Sequence, residues 1–396
     1  MSKAGKGIQM FQQFFNSEKA GGLILIACTA ISLLIANSSH ADHFIHFWHN
    51  SLPLHVGNIT IPFSIEEWIN DGLMTIFFLM VGLEIERELY IGELSSFNNA
   101  ILPALAAVGG MAIPSLIHFL FCFGKPEAAG NGIPMATDIA FSLGVLSLIG
   151  KRVPLSLKIF LTALAIIDDL GAIIIIGIFY TQTFSFLYLC FALLVFAVLL
   201  VLNKLKTNSL WIYLPAGILL WYFLYRSGVH PTLSGVLLAF AIPFHKNVEK
   251  QPSTVLQHAL HKPVNFIIIP LFALANTAIH LSHTWKSEIF TSNSLGITLG
   301  LLLGKPIGIA GFTLLAVSMG IGKLPVGINK QKLIGIGMLA GIGFTMSIFI
   351  SNLAFSTTPD FIQSSKVAVL IASLLAAIIG WVILISGENR IHKPVI

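Results

Sequence analysis

The chain has 396 residues, of which 56% are hydrophobic and only 10% are charged, and its mean hydropathy is +0.88. A composition this apolar excludes an ordinary water-soluble globular protein and indicates an integral membrane protein. The net charge of +5 follows from the topology described next, so it gives no reason to expect a nucleic-acid partner.

Apolar runs near the ~20 residues that span a bilayer recur along the whole chain. About twelve of them are found, centred near Leu25, Phe77, Ala106, Ala140, Ile167, Leu194, Leu219, Val236, Ile269, Leu302, Ile342 and Leu375. The alternating pattern of a β-barrel is absent from the sequence, so we predict helices. The expected fold is an all-α polytopic membrane protein with about twelve transmembrane helices, forming a single transporter domain over residues 1–396.

The basic residues orient these spans. If the spans alternate from a cytoplasmic N-terminus, most of the 22 Lys and Arg residues fall in cytoplasmic segments, as the positive-inside rule requires. Both termini are therefore predicted to be cytoplasmic. The length of the first apolar run, after Lys19, and the many spans that follow favour an uncleaved first helix, with a cleaved signal peptide as the alternative.

One extramembrane segment carries a strand pattern. From Leu54 to Phe63, apolar and polar residues roughly alternate around Gly57-Asn58. The pattern is typical of a small external β-hairpin over about residues 52–63. An irregular loop with a few β-branched residues explains it equally well.

The fourth expected span is interrupted. Gly132 and Pro134 precede Thr137-Asp138, and the apolar run that follows, up to Ile149, is short for a full span. Glycine and proline both weaken a helix, so the sequence predicts a break here.

Two adjacent carboxylates lie in the fifth expected span. Asp168 and Asp169 stand within a run from Pro154 to Tyr180 that is otherwise built almost wholly from Leu, Ile, Ala, Phe and Gly. One carboxylate at the centre of a membrane helix costs about 3 kcal/mol on insertion scales. Adjacent helical residues point roughly 100° apart, so both can reach a cavity between helices. The pair is therefore the first candidate for a functional site.

A third charge lies in the tenth expected span, where Lys305 stands between Gly304 and Pro306. Snorkelling to the surface is one explanation. The central position of Lys305 favours the other explanation, which is an ion pair with an aspartate.

A second interruption is predicted in the eleventh span, before Thr345 and Ser347. The glycines concerned are Gly335, Gly337, Gly341 and Gly343. Taken alone, they indicate close helix packing at least as well as a break. Both interrupted spans, however, are the middle members of three-helix groups. We therefore predict inverted repeats over about residues 101–180 and 296–386, with the two interrupted helices crossing at mid-membrane.

Half-helix ends carry partial charge and need compensation in hydrocarbon. Asp138 is expected to offset positive N-terminal ends, and Lys305 to offset negative C-terminal ends. Deprotonated oxygens of Asp168 and Asp169, with Thr137 or unwound carbonyls, suit a hard cation. Burial favours the protonated carboxyl, so protons and a cation would compete, and alternating access would give exchange. A structural Asp–Lys network is the alternative, a weak one for Asp169 and a serious one for Asp168.

Four strings in this chain resemble the bacterial NhaA sodium/proton antiporters, and the likeness runs through nearly the whole sequence. They are Ala136-Thr-Asp-Ile-Ala-Phe141, Ala165-Ile-Ile-Asp-Asp-Leu-Gly-Ala172, Gly304-Lys-Pro-Ile-Gly308 and Gly341-Ile-Gly-Phe-Thr-Met-Ser-Ile348. The resemblance implies that Asp169 is a principal ligand of sodium or lithium and a proton carrier. It implies that Asp168 helps to bind the cation or exchanges partners with Lys305, and that Thr137, Asp138 and Lys305 belong to the crossed, unwound helices.

The same resemblance implies how such a protein works in the cell. Family members expel Na⁺ or Li⁺ in electrogenic exchange for H⁺, serve pH and sodium homeostasis, and use no cofactor. They lie among the lipids of the bacterial inner membrane and form homodimers through an external hairpin like Leu54 to Phe63. They are transporters rather than enzymes.

Activation by alkaline pH is a further family property. Glu84, Arg87 and Glu88 match its charged cluster at the cytoplasmic funnel, and His230 matches a histidine implicated in the pH response. An ordinary solvated helix end with mutual ion pairs is the alternative for the cluster.

The chain departs from the family before the ninth span. Thr254 and Gln257 stand where the family carries a basic and an acidic residue, so we expect transport with an altered pH dependence.

Two other function classes also place aspartates within a membrane. An intramembrane aspartyl protease needs one aspartate on each of two helices with a GxGD signature, which the sequence lacks. A proton-coupled carrier of a small organic solute is the closer rival, because midplane carboxylates and broken helices would serve it too. The expected site offers acidic groups but little aromatic or amide recognition, which favours an ion.

Overall fold

The computed structural model describes residues 3–57, 59–150, 153–180, 184–245, 251–281 and 288–386. Within these residues, seven helices are long and apolar enough to cross a membrane, or up to ten if each of three bent helix pairs is one span. Strand structure in the same residues is limited to one short hairpin and an isolated bridge. The chain is therefore an all-α polytopic membrane protein, as its composition predicts.

In chain order, the main elements are α1 (Lys3–Ala36), α2 (Ala41–His49), β1 (Leu54–Val56), β2 (Ile59–Ile61), α3 (Ile65–Tyr90), α4 (Phe97–Cys122), a 3-10 segment (Pro126–Met135), α5 (Ile139–Ile149), α6 (Leu155–Phe179), α7 (Phe186–Lys204), α8 (Leu210–Ser227), α9 (Leu233–Ala241), α10 (Pro252–Asn276), α11 (Ser292–Ser318), α12 (Lys330–Ala340), α13 (Phe344–Ala354) and α14 (Pro359–Ser386).

Ten of the twelve expected spans coincide with these candidate spans. The other two, around Leu219 and Val236, correspond to α8 and α9, which are shorter or less apolar than a membrane crossing requires by that measure. The number twelve therefore stays a prediction.

The chain divides into two compact units. Unit 1 comprises Met1–Ala27, Ser96–Ala172 and Leu281–Ile396, and unit 2 comprises Cys28–Ser95 and Ile173–His280. All of the charged residues predicted for the ion site belong to unit 1.

Breaks occur in unit 1 where the sequence predicts them. The 3-10 segment and α5 are bent by 41° relative to each other, and α12 and α13 by 46°. The first break is extended chain, with ψ of 149° at Ala136 and 102° at Asp138. The second break lies at Gly341–Gly343, between the end of α12 and the start of α13.

Close helix packing in unit 1 depends on paired glycines. A Cβ atom on Gly308 of α11 would lie 2.0 Å from the carbonyl oxygen of Gly109 on α4. A Cβ atom on Gly109 would lie 2.4 Å from the carbonyl oxygen of Gly308. The two backbones can approach this closely only because neither residue has a side chain. This contact fixes the helix that carries Lys305 against α4.

Unit 2 has its own apolar core. Leu83 of α3, Leu199 of α7, Tyr213 of α8, Leu238 of α9 and Leu256 of α10 belong to one buried cluster. Each of these helices therefore turns one apolar side toward the others, as a packed helical bundle requires.

The segment around Leu54 to Phe63 forms a hairpin. β1 and β2 pair antiparallel with Leu54 opposite Ile61 and Val56 opposite Ile59. Gly57 adopts a φ of +59°, which glycine tolerates at low cost and which makes the tight turn possible. Asn58, the other predicted turn residue, lies outside the described residues. The pairing resolves the choice between hairpin and irregular loop in favour of the hairpin.

The glycine contact between α4 and α11 can be tested by mutation. Gly308→Val should lower the melting temperature of the purified protein, because overpacking costs about 1–3 kcal/mol. Gly311→Val is the matched control on the same helix, since a Cβ atom there meets nothing within 4 Å. Equal destabilisation by both substitutions would show that helix propensity, and not the close approach, determines the effect.

Candidate functional site

The candidate site in unit 1 is built around a buried ion pair. Lys305 of α11 donates a short hydrogen bond from Nζ to Oδ2 of Asp168 on α6, and both side chains are 0% exposed. Removing two charges from water is costly, and a buried charge is tolerated when its partner is held close to it. The ion pair predicted between Lys305 and an aspartate is therefore present, and the aspartate is Asp168.

Thr137 completes this pair from the break between the 3-10 segment and α5. Its Oγ1 lies 2.7 Å from Asp168 Oδ2 and accepts a hydrogen bond from Lys305 Nζ at 3.0 Å. The other carboxylate oxygen, Asp168 Oδ1, is buried and has no hydrogen-bond partner among the described residues. The site therefore keeps one anionic oxygen available to a further cation or proton.

Asp169 is also buried, with 1% of its surface exposed. It attracts the Lys305 ammonium electrostatically, whereas Asp168 both attracts it and hydrogen-bonds it. The two aspartates are therefore unequal partners of the lysine, although they are neighbours in sequence.

Asp138 stabilises two helix N-termini with one carboxylate. As the N-cap of α5, it accepts a hydrogen bond at Oδ1 from the Phe141 N–H at 2.9 Å. Its Oδ2 accepts hydrogen bonds from the backbone N–H of Thr345 at 3.0 Å and from the hydroxyl of Thr345 at 2.5 Å, at the start of α13. Negative charge at helix N-termini is favourable, which is the role that the sequence predicts for Asp138.

Three hydroxyl residues at the two breaks are not among the site residues predicted from the sequence. Thr345, the partner of Asp138, stands out in the sequence only as the polar end of a glycine run. Two serines also bind backbone carbonyls across the breaks: Ser142 Oγ donates to Leu339 O at 2.9 Å, and Ser347 Oγ donates to Ile133 O at 2.7 Å. A polar residue just after each break is the sequence signal that could have found them.

The charged cluster predicted for the pH response lies in unit 2, near the C-terminal end of α3. Glu84 is buried, and Arg87 pairs with Glu88 at 3.2 Å. Glu88 also accepts the backbone N–H of Glu93 at 3.1 Å through Oε2. Glu86, which the sequence pattern does not single out, is buried as well, and its Oε2 has no hydrogen-bond partner among the described residues.

His230, the fourth residue predicted for the pH response, also lies in unit 2, in the connection between α8 and α9. Its Nδ1 is 3.6 Å from Oδ1 of Asp71 and 3.3 Å from the hydroxyl of Thr232. Burial lowers the pKa of His230 to about 4. The ring is therefore neutral at neutral and alkaline pH.

The candidate site offers oxygen ligands to a cation. Within the described residues, no three His, Cys, Asp or Glu side chains gather in the way that a bound metal ion requires. What unit 1 offers is a pair of carboxylates, a hydroxyl and nearby carbonyls, which are oxygen ligands for a hard cation. The lysine beside them competes with such a cation for Asp168.

The buried ion pair makes a stability prediction. Lys305→Gln should cost about 3–5 kcal/mol, because it leaves Asp168 ionised and buried without its cation. Replacing both charges, in Asp168→Asn with Lys305→Gln, should restore much of the lost melting temperature. Lys330→Gln, which removes an exposed lysine at the start of α12, is the control and should leave it unchanged. Additive losses in the double variant would contradict the pairing.

Comparison with known proteins places this chain in a family. The family model described as Na+/H+ antiporter 1 matches residues 12–384. The protein named Na(+)/H(+) antiporter NhaA from Flavobacterium psychrophilum is 55% identical over 372 residues, covering 94% of both chains. The protein of the same name from Dechloromonas aromatica is 55% identical over 374 residues, again covering 94% of both chains. That from Aliivibrio fischeri is 47% identical over 378 residues, covering 95% of this chain and 97% of its own. The chain belongs to the Na+/H+ antiporter 1 family.

Proposed function

We propose that this chain exchanges sodium or lithium ions for protons at the buried site formed by Asp168, Asp169, Thr137 and Lys305. The observation that carries the proposal is the Asp168 carboxylate, which is held by Lys305 and Thr137 through Oδ2 while Oδ1 has no partner among the described residues. Membership of the Na+/H+ antiporter family supports the choice of ions.

Competition for the carboxylates accounts for exchange. With protons bound, the site has little affinity for Na⁺, because a protonated carboxyl has lost its negative charge. When the protons leave, Asp169 and Asp168 become anionic and a cation binds to them, displacing Lys305 from Asp168. Alternating exposure of the site to the two sides of the membrane then couples the two fluxes. More protons than cations cross in each cycle, so the transport is electrogenic.

The architecture proposed for this cycle has twelve spans, including α8 and α9, with inverted repeats over about residues 101–180 and 296–386. The interrupted helices cross at mid-membrane. Support comes from two contacts between the breaks: the Asp138 N–H donates to Ile342 O at 2.7 Å, and the Thr137 hydroxyl lies 2.9 Å from Ala340 O. In this arrangement Asp138 compensates N-terminal helix ends, and Lys305 compensates C-terminal ends through Thr137.

The cellular setting is proposed by analogy with the family. The protein lies in a bacterial inner membrane with both termini in the cytoplasm, expels sodium and contributes to pH homeostasis. It forms a homodimer through the hairpin of β1 and β2. The short paired strands support this role, because the edge of a two-stranded sheet leaves backbone groups that a second copy can pair with.

Transport can be measured in everted membrane vesicles. Addition of NaCl or LiCl should collapse a preformed proton gradient in vesicles that contain the wild-type protein, and Asp169→Asn should abolish the response. Asp360→Asn, which neutralises an exposed carboxylate at the start of α14, should respond like the wild type. KCl serves as the test of selectivity.

Two outcomes would contradict this proposal. One is a wild-type protein that responds to no cation, and the other is full activity in Asp169→Asn. Collapse of the gradient by an organic solute in place of a cation would favour the alternative function, a proton-coupled carrier of a small organic solute.

The pH dependence can be tested at α10, where the chain departs from its family. Thr254 and Gln257 lie one turn apart, and Gln257 is 8% exposed. Introducing the charged pair, in Thr254→Lys with Gln257→Glu, should move the midpoint of the pH–activity profile by about half a pH unit or more, since added charges change the protonation of nearby groups.

The control for this prediction carries the same charges at the same spacing on the exposed side of α10, in Val255→Lys with His258→Glu. It should leave the midpoint in place. An equal shift in both double variants, or no shift in either, would show that the two positions do not determine the profile. Glu84, Arg87 and Glu88 are the charged groups that we propose respond to the change, and we propose that His230, which is neutral in this pH range, contributes through its contact with Asp71.

A further inference from the structure

The Thr137 hydroxyl has one proton and two acceptors for it. Its Oγ1 lies 2.7 Å from Asp168 Oδ2 and 2.9 Å from the carbonyl oxygen of Ala340, while Lys305 donates to the same oxygen atom. A hydroxyl group donates one hydrogen bond at a time. At any one time, Thr137 therefore donates either to the Asp168 carboxylate or to the Ala340 carbonyl.

The acceptor that Thr137 uses determines whether its hydroxyl oxygen can bind a cation. When Thr137 donates to Asp168, its proton points at the carboxylate. When it donates to Ala340 O, its lone pairs turn toward the carboxylate, and the hydroxyl becomes an oxygen ligand for a hard cation. Cation binding at Asp168 therefore requires the Ala340 carbonyl to be in place as the alternative acceptor.

Ser142 holds the turn that presents this carbonyl. It lies in the first turn of α5, where its N–H bonds to Asp138 O at 2.9 Å, and it is 0% exposed. Its hydroxyl donates to Leu339 O at 2.9 Å, and Leu339 O also accepts the Ile342 N–H at 3.1 Å. Ser142 thus links the C-terminal turn of α12, which includes Ala340, to the first turn of α5, which directly follows Thr137 and Asp138 in the chain.

We propose that Ser142 is a positioning residue for cation binding, which keeps the Ala340 carbonyl where Thr137 can transfer its hydrogen bond when sodium occupies the Asp168 site. The proposal rests on the function proposed above, because it takes that site as the place where the cation binds. It assigns a role to a residue that makes no contact with the ion itself.

Ser347 provides a matched comparison within the same unit. It is also 0% exposed, it lies in the first turn of α13, and its hydroxyl donates to a backbone carbonyl across the break, that of Ile133 at 2.7 Å. Chemistry and burial are the same, but its acceptor lies in the 3-10 segment and not in the turn at Leu339 and Ala340. A purely structural role would make the two serines equivalent.

The test compares Ser142→Ala with Ser347→Ala in sodium-driven exchange. Ser142→Ala should raise the KM for Na⁺ about three- to tenfold, as expected for the loss of one hydrogen bond of positioning, and should leave the maximal rate within about twofold. Ser142→Ala and Ser347→Ala should lower the melting temperature by similar amounts, because each removes one buried hydrogen bond. Ser347→Ala should nevertheless change the KM less than about twofold. Ser142→Cys keeps the side-chain shape and a weak donor, and should give an intermediate KM.

A binding measurement makes the test independent of transport. Sodium should raise the melting temperature of the purified wild-type protein, because a ligand that binds the folded state stabilises it. The sodium dependence of this rise should shift to higher concentration in Ser142→Ala. If Ser142 acts through Thr137, the same substitution in a Thr137→Val background should add less than about a twofold shift, because the two effects are not independent.

The outcomes separate this proposal from the one on which it rests. An unchanged KM in Ser142→Ala and Ser142→Cys, an equal rise in Ser347→Ala, or full additivity with Thr137→Val would overturn the role of Ser142 alone. Absence of any sodium response in the wild-type protein, in both assays, would overturn both proposals. A KM effect that is confined to the Ser142 variants and is absent without the Thr137 hydroxyl supports the positioning role of Ser142.

Discussion

The buried ion pair between Asp168 and Lys305 is the constraint on which the rest of unit 1 depends. Both side chains are fully buried, so removing either charge leaves the other buried without its ion-pair partner, at a cost of about 3–5 kcal/mol. Contact between the two side chains requires α6 and α11 to keep their positions relative to each other. The position of α11 is in turn fixed by its contact with α4 at Gly109 and Gly308. The close backbone contact between α4 and α11 thus helps to position the Lys305 charge, which would be costly to bury in a membrane without a partner.

The broken helices solve a second problem, because each break leaves backbone groups that must find partners. Asp138 binds donors at the starts of α5 and α13, and hydroxyl groups bind carbonyls at the end of α12 and in the 3-10 segment. In a hydrocarbon environment, irregular backbone is tolerated only where such partners exist. Thr137, at the first break, also brings its hydroxyl oxygen to the Asp168–Lys305 pair.

Stability and transport make opposite demands on these groups. A fully satisfied network would hold the ion pair permanently, whereas the proposed exchange requires Lys305 to leave Asp168 when a cation or a proton arrives. The site meets both demands in part, since one carboxylate oxygen has no partner among the described residues and Thr137 has two acceptors for one proton. The competition between these contacts, and not the strength of any one, is what makes ion exchange at this site physically reasonable.

The sequence by itself determined the class of protein and the position of both breaks, and it singled out the charged residues of the candidate site. These features could be predicted because a charge or a glycine within an apolar run destabilises a membrane helix wherever that helix packs. The local sequence is therefore enough to identify them. The tertiary structure decided which groups meet. It paired Lys305 with Asp168, separated by 137 residues, and Asp138 with Thr345, separated by 207. It also brought Ser142 to the Leu339 carbonyl, 197 residues away along the chain. Partners so distant along the chain are chosen by helix packing, which a local pattern does not contain.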